Sequence, residues 1–76
     1  MGESIVKIYL AVVDTYEEII GTADTPEKAV KVACNFALNY LKGRGVTEHK
    51  TIKDVEEYFG VTALPINIGE ATFVKS

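Results

Sequence analysis

The sequence has little of several residues that mark particular protein classes. Its 76 residues include one cysteine, one histidine, two prolines and no tryptophan. A single cysteine cannot form an internal disulfide, and with one histidine it cannot complete a four-ligand zinc site without carboxylates. The chain is also too short for a dinucleotide-binding fold or for two lobes around a deep cleft. We therefore expect one small domain stabilised by packing, with self-association as a further source of stability.

Sequence motifs of common enzymes are missing as well. There is no G-x-G-x-x-G, no phosphate-binding P-loop, no H-E-x-x-H and no cysteine pair. Gly43 and Gly45 follow a predicted helix rather than opening one, so they are poorly placed to bind phosphate. We expect no cofactor, no metal site and no enzymatic activity.

The amino-terminal residues lack the pattern of a secretory signal. Residues 1–4 carry no basic residue, and the apolar run over residues 5–13 is interrupted by Lys7. A secretory signal requires a basic start, a continuous apolar stretch and a small-residue cleavage site. No stretch approaches the roughly 20 apolar residues that a membrane-spanning helix needs. We expect a cytoplasmic protein with no membrane partner, a compartment that suits a lone thiol.

Alternating apolar residues predict two strands at the start of the chain. Residues 4–14 are largely apolar on both faces, which is typical of a central strand. Residues 18–23, Glu-Ile-Ile-Gly-Thr-Ala, predict a shorter second strand. Asp14 begins the turn between them, where its side chain is expected to bond backbone groups two residues on. The two strands are expected to form a hairpin.

Residues 26–42 have the apolar spacing of a helix. Thr25 or Asp24 can cap its first turn, Pro26 suits its first position, and Gly43 follows its last turn. One apolar stripe is expected to face the core. The stripe consists of Val30, Ala33, Ala37, Leu38 and Leu41, broadened by Phe36 and Tyr40.

A second, short helix and a last strand complete the predicted fold. Thr51 and Asp54 resemble a capping box, and Gly60 is a natural end for the helix. Its apolar face consists of Val55, Tyr58 and Phe59. Residues 61–74 are extended, and Pro65 confines this strand to a sheet edge, a strand start or a bulge. The predicted fold class is α+β in the order β-β-α-α-β, a single domain with an antiparallel sheet of order 2-1-3 packed by two helices.

The two residues with the best nucleophilic or basic chemistry both have a structural interpretation. Cys34 lies in the middle of the first helix, far from the helix end that could lower its pKa, so we expect a core thiol. His49 lies in a charged loop between Glu48 and Lys50, and we expect it to be exposed to solvent. Neither residue has a partner in sequence that indicates catalysis.

Two local resemblances to known families bear on function. Residues 51–62 resemble the first helix and turn of a helix-turn-helix DNA reader, but Pro65 and Gly69 interrupt the segment where a recognition helix should follow. Residues 24–30, Asp-Thr-Pro-Glu-Lys-Ala-Val, followed by an alanine-rich helix, carry a second likeness. Through them residues 8–41 resemble the hairpin and helix of antitoxins that partner small mRNA-cleaving toxins. The third strand of those antitoxins, with its Gly-Cys, is absent here, and the resemblance implies a hairpin-then-helix architecture and a toxin-binding role.

The net charge of −3 conceals a strong segregation of charge along the chain. Residues 14–27 contain five acidic and no basic residues, residues 28–53 contain six basic and one acidic, and residues 54–76 contain four acidic and one basic. One interpretation is an ordinary solvated surface whose segments neutralise one another. The sharper one is an acidic face that docks a basic partner, since complementary charge raises association rates and selects partners.

The leading functional hypothesis is therefore a non-enzymatic interaction protein that regulates or inhibits a larger protein with a basic surface. By analogy with small acidic phage-encoded inhibitor proteins, the face could mimic DNA on a basic DNA-binding protein. The predicted acidic face consists of Asp14, Glu17, Glu18, Asp24, Glu27, Asp54, Glu56 and Glu57.

Three alternatives stay open, and one of them is the antitoxin-like, toxin-binding protein that the resemblance of residues 8–41 implies. A small nucleic-acid-binding module would use a basic patch in residues 42–53, namely Lys42, Arg44, His49, Lys50 and Lys53. A structural subunit would form a homodimer through Tyr9, Val13 or the edge strand.

Overall fold

A computed structural model describes residues 7–67, 69 and 71 of the chain. Both strand pairs are antiparallel, and the sheet order is β2-β1-β3. The predicted fold class and strand order are therefore confirmed. Residues 4–6 of the predicted first strand and residues 68, 70 and 72–74 of the predicted last strand lie outside the described residues. The elements are β1 (Lys7–Asp14), β2 (Glu18–Ala23), α1 (Pro26–Gly43), α2 (Ile52–Phe59) and β3 (Ala63–Asn67).

The turn between β1 and β2 is held by a threonine and not by the predicted aspartate. The hydroxyl of Thr15 donates to the carbonyl of Glu17 at 2.7 Å and accepts from the N–H of Glu17 at 3.3 Å. The backbone N–H of Thr15 donates to the same carbonyl at 3.2 Å. Asp14 takes no part in these bonds, so its predicted role in the turn is wrong. Its side chain is exposed beside the turn, paired in register with Glu18.

One face of the sheet packs against α1. Ala11 and Val13 of β1 are fully buried, whereas Leu10 and Val12, which alternate with them, are half-buried. Because successive side chains of a strand point to opposite faces, the first pair lies under α1 and the second points away from it. The outward face consists of Ile8, Leu10, Val12, Ile20, Leu64 and Ile66. The domain therefore has one sheet face packed by a helix and one apolar face directed away from that helix.

The helix ends follow the sequence closely. The Thr25 hydroxyl accepts from the N–H of Lys28 at 3.2 Å, with Pro26 in the first turn of α1. The predicted capping box of α2 is present, and Gly60 ends this helix with φ +63. α1 runs one residue further than predicted, to Gly43, and Arg44 is its C-cap. These caps are local features, and that is why the sequence predicts them well.

The buried side of α1 is narrower than the predicted stripe. Phe36 was expected to broaden it but is 62% exposed, and the prediction for this residue is wrong. Tyr58 was placed on the apolar face of α2 and is 70% exposed, so that prediction is also wrong. Most of the buried side chains of α1 are small, and Tyr40, the other residue expected to broaden the stripe, is half-buried against the core. The buried residues of α1 are Ala29, Ala33, Cys34, Ala37, Leu38 and Leu41.

Candidate functional site

Three of the predicted acidic residues meet at the hairpin end of the sheet. Asp14 closes β1, Glu17 lies in the turn, and Glu18 opens β2 opposite Asp14. All three side chains are exposed. Within the described part of the chain, none of them forms an ion pair with a lysine or arginine. Their charges are therefore available to a partner.

Two further acidic residues lie at the other end of β2. Asp24 follows the strand and Glu27 lies in the first turn of α1. Asp24 lies six positions after Glu18, which corresponds to about 20 Å along an extended strand. Asp24 also forms an ion pair with Lys28, with 3.4 Å between the charged atoms. The acidic segment is therefore split between two ends of the sheet and does not form one compact face.

The acidic residues of α2 have structural partners. Asp54 accepts from the backbone N–H of Lys50 at 3.0 Å and of Thr51 at 3.2 Å. These hydrogen bonds stabilise the ionised carboxylate and hold the pKa of Asp54 below its usual value. The bond from the Lys50 backbone has the largest effect, and the bonds from Thr51 add to it. Glu57 pairs with Lys53 at 3.6 Å. Both carboxylates therefore already have interaction partners within α2 and its cap.

Glu56 has a different environment from its two acidic neighbours. It is half-buried and, with Glu27 and Lys31, lines an open depression of about 350 Å³ between the start of α1 and the segment that leads into β3.

The thiol of Cys34 has a raised pKa. Burial raises this pKa to about 11, and the nearby carboxylate of Glu56 adds to this rise. Cys34 is fully buried, which confirms the predicted core thiol. A thiol with so high a pKa is a poor nucleophile.

The residues of the predicted basic patch lie in different environments. The guanidinium of Arg44 lies 4.3 Å from the centre of the Tyr16 ring, on the hairpin turn. Lys53 is engaged with Glu57, and Lys42 and Lys50 are exposed on different segments. Two of the four cations therefore already have a contact within the fold, and one of these, Arg44, is stacked against the acidic hairpin.

His49 is buried, which contradicts the prediction of a solvent-exposed loop histidine. Its side chain is only 8% exposed. The imidazole lies 4.7 Å from the ring centre of Tyr58 and 5.7 Å from that of Phe59. Such aromatic contacts anchor the loop to α2, so His49 belongs to the packing between them. It cannot serve as an exposed member of a basic patch.

A shallow pocket of about 300 Å³ lies beside His49, and Asp14, Glu48 and Tyr16 are among its other lining residues. A general base must be oriented by a hydrogen-bonding partner. None of the side-chain hydrogen bonds formed among the described residues involves His49. The pocket therefore has carboxylates and aromatic rings but no preorganised catalytic pair.

A second feature, missed by the sequence analysis, lies along the outer edge of β2. Ile20 of β2 is 52% exposed, and Val32 and Phe36 of α1 are 49% and 62% exposed. These side chains line an open groove of about 400 Å³ together with Glu17 and Glu18. We call these five residues the acidic edge. The sequence signal for it was the position of Phe36 and Val32 outside the main helical stripe.

The predicted self-association surface is only partly compatible with the fold. Val13 is fully buried under α1, so its predicted role in a dimer contact is wrong. Tyr9 is half-buried and packs against the core. The edge strands remain as the accessible part of that prediction.

The comparisons with known proteins leave the function open. No model of a protein family, no curated protein and no solved structure matches the chain. The resemblance of residues 8–41 to antitoxins therefore stays a prediction. In the part of the chain that the structure describes, neither helix is long and apolar enough to cross a bilayer. The same residues contain no group of three histidine, cysteine or acidic side chains that could hold a metal ion.

Proposed function

We propose that the protein is a non-enzymatic binding protein that docks the basic surface of a larger protein partner and thereby regulates or inhibits it. The proposed docking surface is the acidic edge. One observation carries the proposal: Glu17 and Glu18 are exposed and form no ion pair among the described residues, and they adjoin exposed apolar side chains of β2 and α1.

This combination of groups suits protein recognition. Exposed carboxylates steer a basic partner and disfavour acidic ones, whereas apolar side chains at the centre of a contact supply most of its affinity. Ile20 and Phe36 are large apolar side chains that are exposed to solvent and not packed in the core. Contiguous exposed apolar groups of this kind indicate an interaction surface.

The narrower idea of DNA mimicry receives less support from the arrangement of the carboxylates. A mimic of DNA needs negative charges spaced like phosphates over an extended surface. Here Asp24 and Glu57 pair with lysines, and Asp54 caps α2. We therefore define the partner by its basic surface and not by binding to nucleic acid. An mRNA-cleaving toxin, which the antitoxin resemblance implies, would be one partner of this kind if it presents such a surface.

The proposal can be tested with two charge-reversal variants that change net charge equally. The first is Glu17→Lys with Glu18→Lys, in the acidic edge. The matched control is Asp24→Lys with Glu27→Lys, at the other end of β2. Each variant and the wild type would be immobilised and used to capture proteins from a nuclease-treated bacterial lysate at low and physiological salt, and the captured proteins would be identified and quantified.

We expect a specific protein that the wild type and the control capture and the acidic-edge variant does not. Its capture should decrease as salt is raised, because salt screens exposed charges. Equal loss with both variants would indicate a general charge effect and would contradict a local site. Capture of nucleic acid without nuclease, and of no protein after nuclease treatment, would favour the basic-patch alternative instead.

A further inference from the structure

The strand β2 presents one side of its backbone without a partner strand among the described residues. β2 lies at the edge of the sheet and pairs only with β1 there. In a β-strand, alternate residues direct their N–H and C=O groups to opposite sides, so every second residue of β2 directs these groups outward. Such an edge can accept an added strand from another chain.

The groove beside this edge offers apolar contacts to the side chains of an added strand. Val32, Phe36 and Tyr40 of α1 line it on the helix side. On the opposite side of the sheet, Glu18 and Ile20 belong to the face directed away from α1. Since side chains of an added strand alternate between these sides, one set would contact the apolar helix residues and the other would lie beside Glu18 and Ile20.

The charge of the hairpin argues against a second copy of this chain as the occupant. Two β2 strands paired antiparallel would bring Glu18 of one copy towards Asp24 of the other. Paired parallel, they would bring two Glu18 side chains together. Residues 14–27 contain no basic residue, and the neighbouring Lys28 pairs with Asp24 only, so Glu18 of each copy would stay uncompensated. Like charges placed opposite each other on adjacent strands are destabilising, so the edge favours a basic occupant over itself.

We infer that β2 accepts an extended segment of the partner as an additional strand, with apolar side chains against Val32 and Phe36 and at least one lysine or arginine beside Glu17 and Glu18. This inference rests on the proposed function and adds to it the conformation and the residue pattern of the bound segment. Main-chain bonds to β2 would give affinity, and the two lines of side-chain contacts would give specificity.

The test uses three synthetic peptides of eight residues and the 76-residue chain. In the first peptide valine alternates with lysine, in the second the same residues form a valine block followed by a lysine block, and in the third valine alternates with glutamate. Binding would be measured by fluorescence anisotropy, and amide hydrogen exchange in β2 by NMR. Phe36→Ser removes the apolar contact, and Tyr58→Ser is its control because Tyr58 is also an exposed aromatic residue.

We expect the alternating valine–lysine peptide to bind at least about tenfold more tightly than the other two, since a well-packed contact residue is commonly worth that much. Hydrogen exchange of the outward amides of β2 should slow when the peptide binds. Phe36→Ser should weaken binding of this peptide, and Tyr58→Ser should not. Three outcomes would overturn the inference: equal binding of both lysine peptides, absence of binding, or a dimer in sedimentation that Phe36→Ser dissociates.

Failure of this inference and failure of the proposed function can be told apart. If a captured basic protein depends on Glu17 and Glu18 but not on Phe36, and β2 amides exchange as before, the docking function stands and strand addition is overturned. If the alternating peptide binds but no protein is captured in a charge-dependent manner, the edge accepts strands and the proposed function is overturned.

Discussion

Gly21 of β2 lies against the backbone of Ala33 in α1. A Cβ atom on residue 21 would lie 2.6 Å from the Ala33 nitrogen and 2.8 Å from its Cβ atom. Real Cβ atoms do not approach so closely, and the obstacle is helix backbone that cannot rotate away. This glycine therefore sets the distance between the sheet and α1, and so the shape of the groove along β2.

Gly21→Ala should destabilise the protein by about 1–3 kcal/mol or more, because strand and helix must move apart to admit the methyl group. Gly43→Ala is the matched control, since no atom lies within 4 Å of a Cβ there and the residue is helical. We expect the control to be neutral or stabilising by up to about 1 kcal/mol. Urea unfolding of both variants checks this, and equal stability would contradict the close contact.

Cys34 should react very slowly with thiol reagents in the native protein. The side chain is fully buried and its pKa is raised to about 11, so little thiolate is present at pH 8. Reaction with a disulfide reagent should reach the rate of a free thiol only in denaturant. Glu56→Gln should lower the pKa of the thiol by removing the nearby negative charge. A fast reaction of the native wild type at pH 8 would contradict this account.

Protonation of Asp54 should make the protein less stable in acid. Its folded-state pKa lies below the ordinary value of 3.8, so the ionised form is favoured by folding. The stabilisation is present above pH 3.8 and is lost as pH falls through the folded-state pKa. Carboxyl NMR titration should give a pKa below 3.8 for wild type and a value closer to 3.8 in Thr51→Ala. A wild-type value at or above 3.8 would show that the cap does not act on this group.

His49 should contribute to stability through its contacts with α2. His49→Ala removes the ring that packs against Tyr58 and Phe59, and we expect a loss of about 1–3 kcal/mol. Glu48→Ala changes the exposed neighbouring side chain and should alter stability by no more than about 0.5 kcal/mol. Thermal unfolding of both variants at the same pH compares them. Equal melting temperatures would restore the interpretation of His49 as a solvent-exposed residue.

Local signals in the sequence predicted most of the fold. Thr25, Pro26, Thr51 and Gly60 act within one helical turn of their own position, so their effect does not depend on the rest of the chain. The apolar residues on both faces of β1 are enough to place it at the centre of the sheet. The strand order follows once the last segment, with Pro65 in it, is assigned to an edge.

The site was harder to predict because it depends on what covers each residue. Helical spacing places Phe36 near the apolar stripe but does not show how far the sheet extends beneath α1. Burial of His49 depends on where α2 packs, which a loop sequence cannot indicate. Division of the acidic residues into two groups follows from the length of β2, which separates Glu18 from Asp24. Charge counts along the chain indicate which segments are acidic but not how their carboxylates are arranged in the fold.

The central claim is that the partner contacts the acidic edge. The most direct measurement is a map of amide chemical-shift changes when the isotopically labelled protein is titrated with the captured partner at physiological salt. We predict that the perturbed amides lie in residues 16–23 and 32–40, around Glu17, Ile20 and Phe36. Perturbations confined to residues 42–53, or to the Asp24 and Glu27 end of β2, would contradict the account.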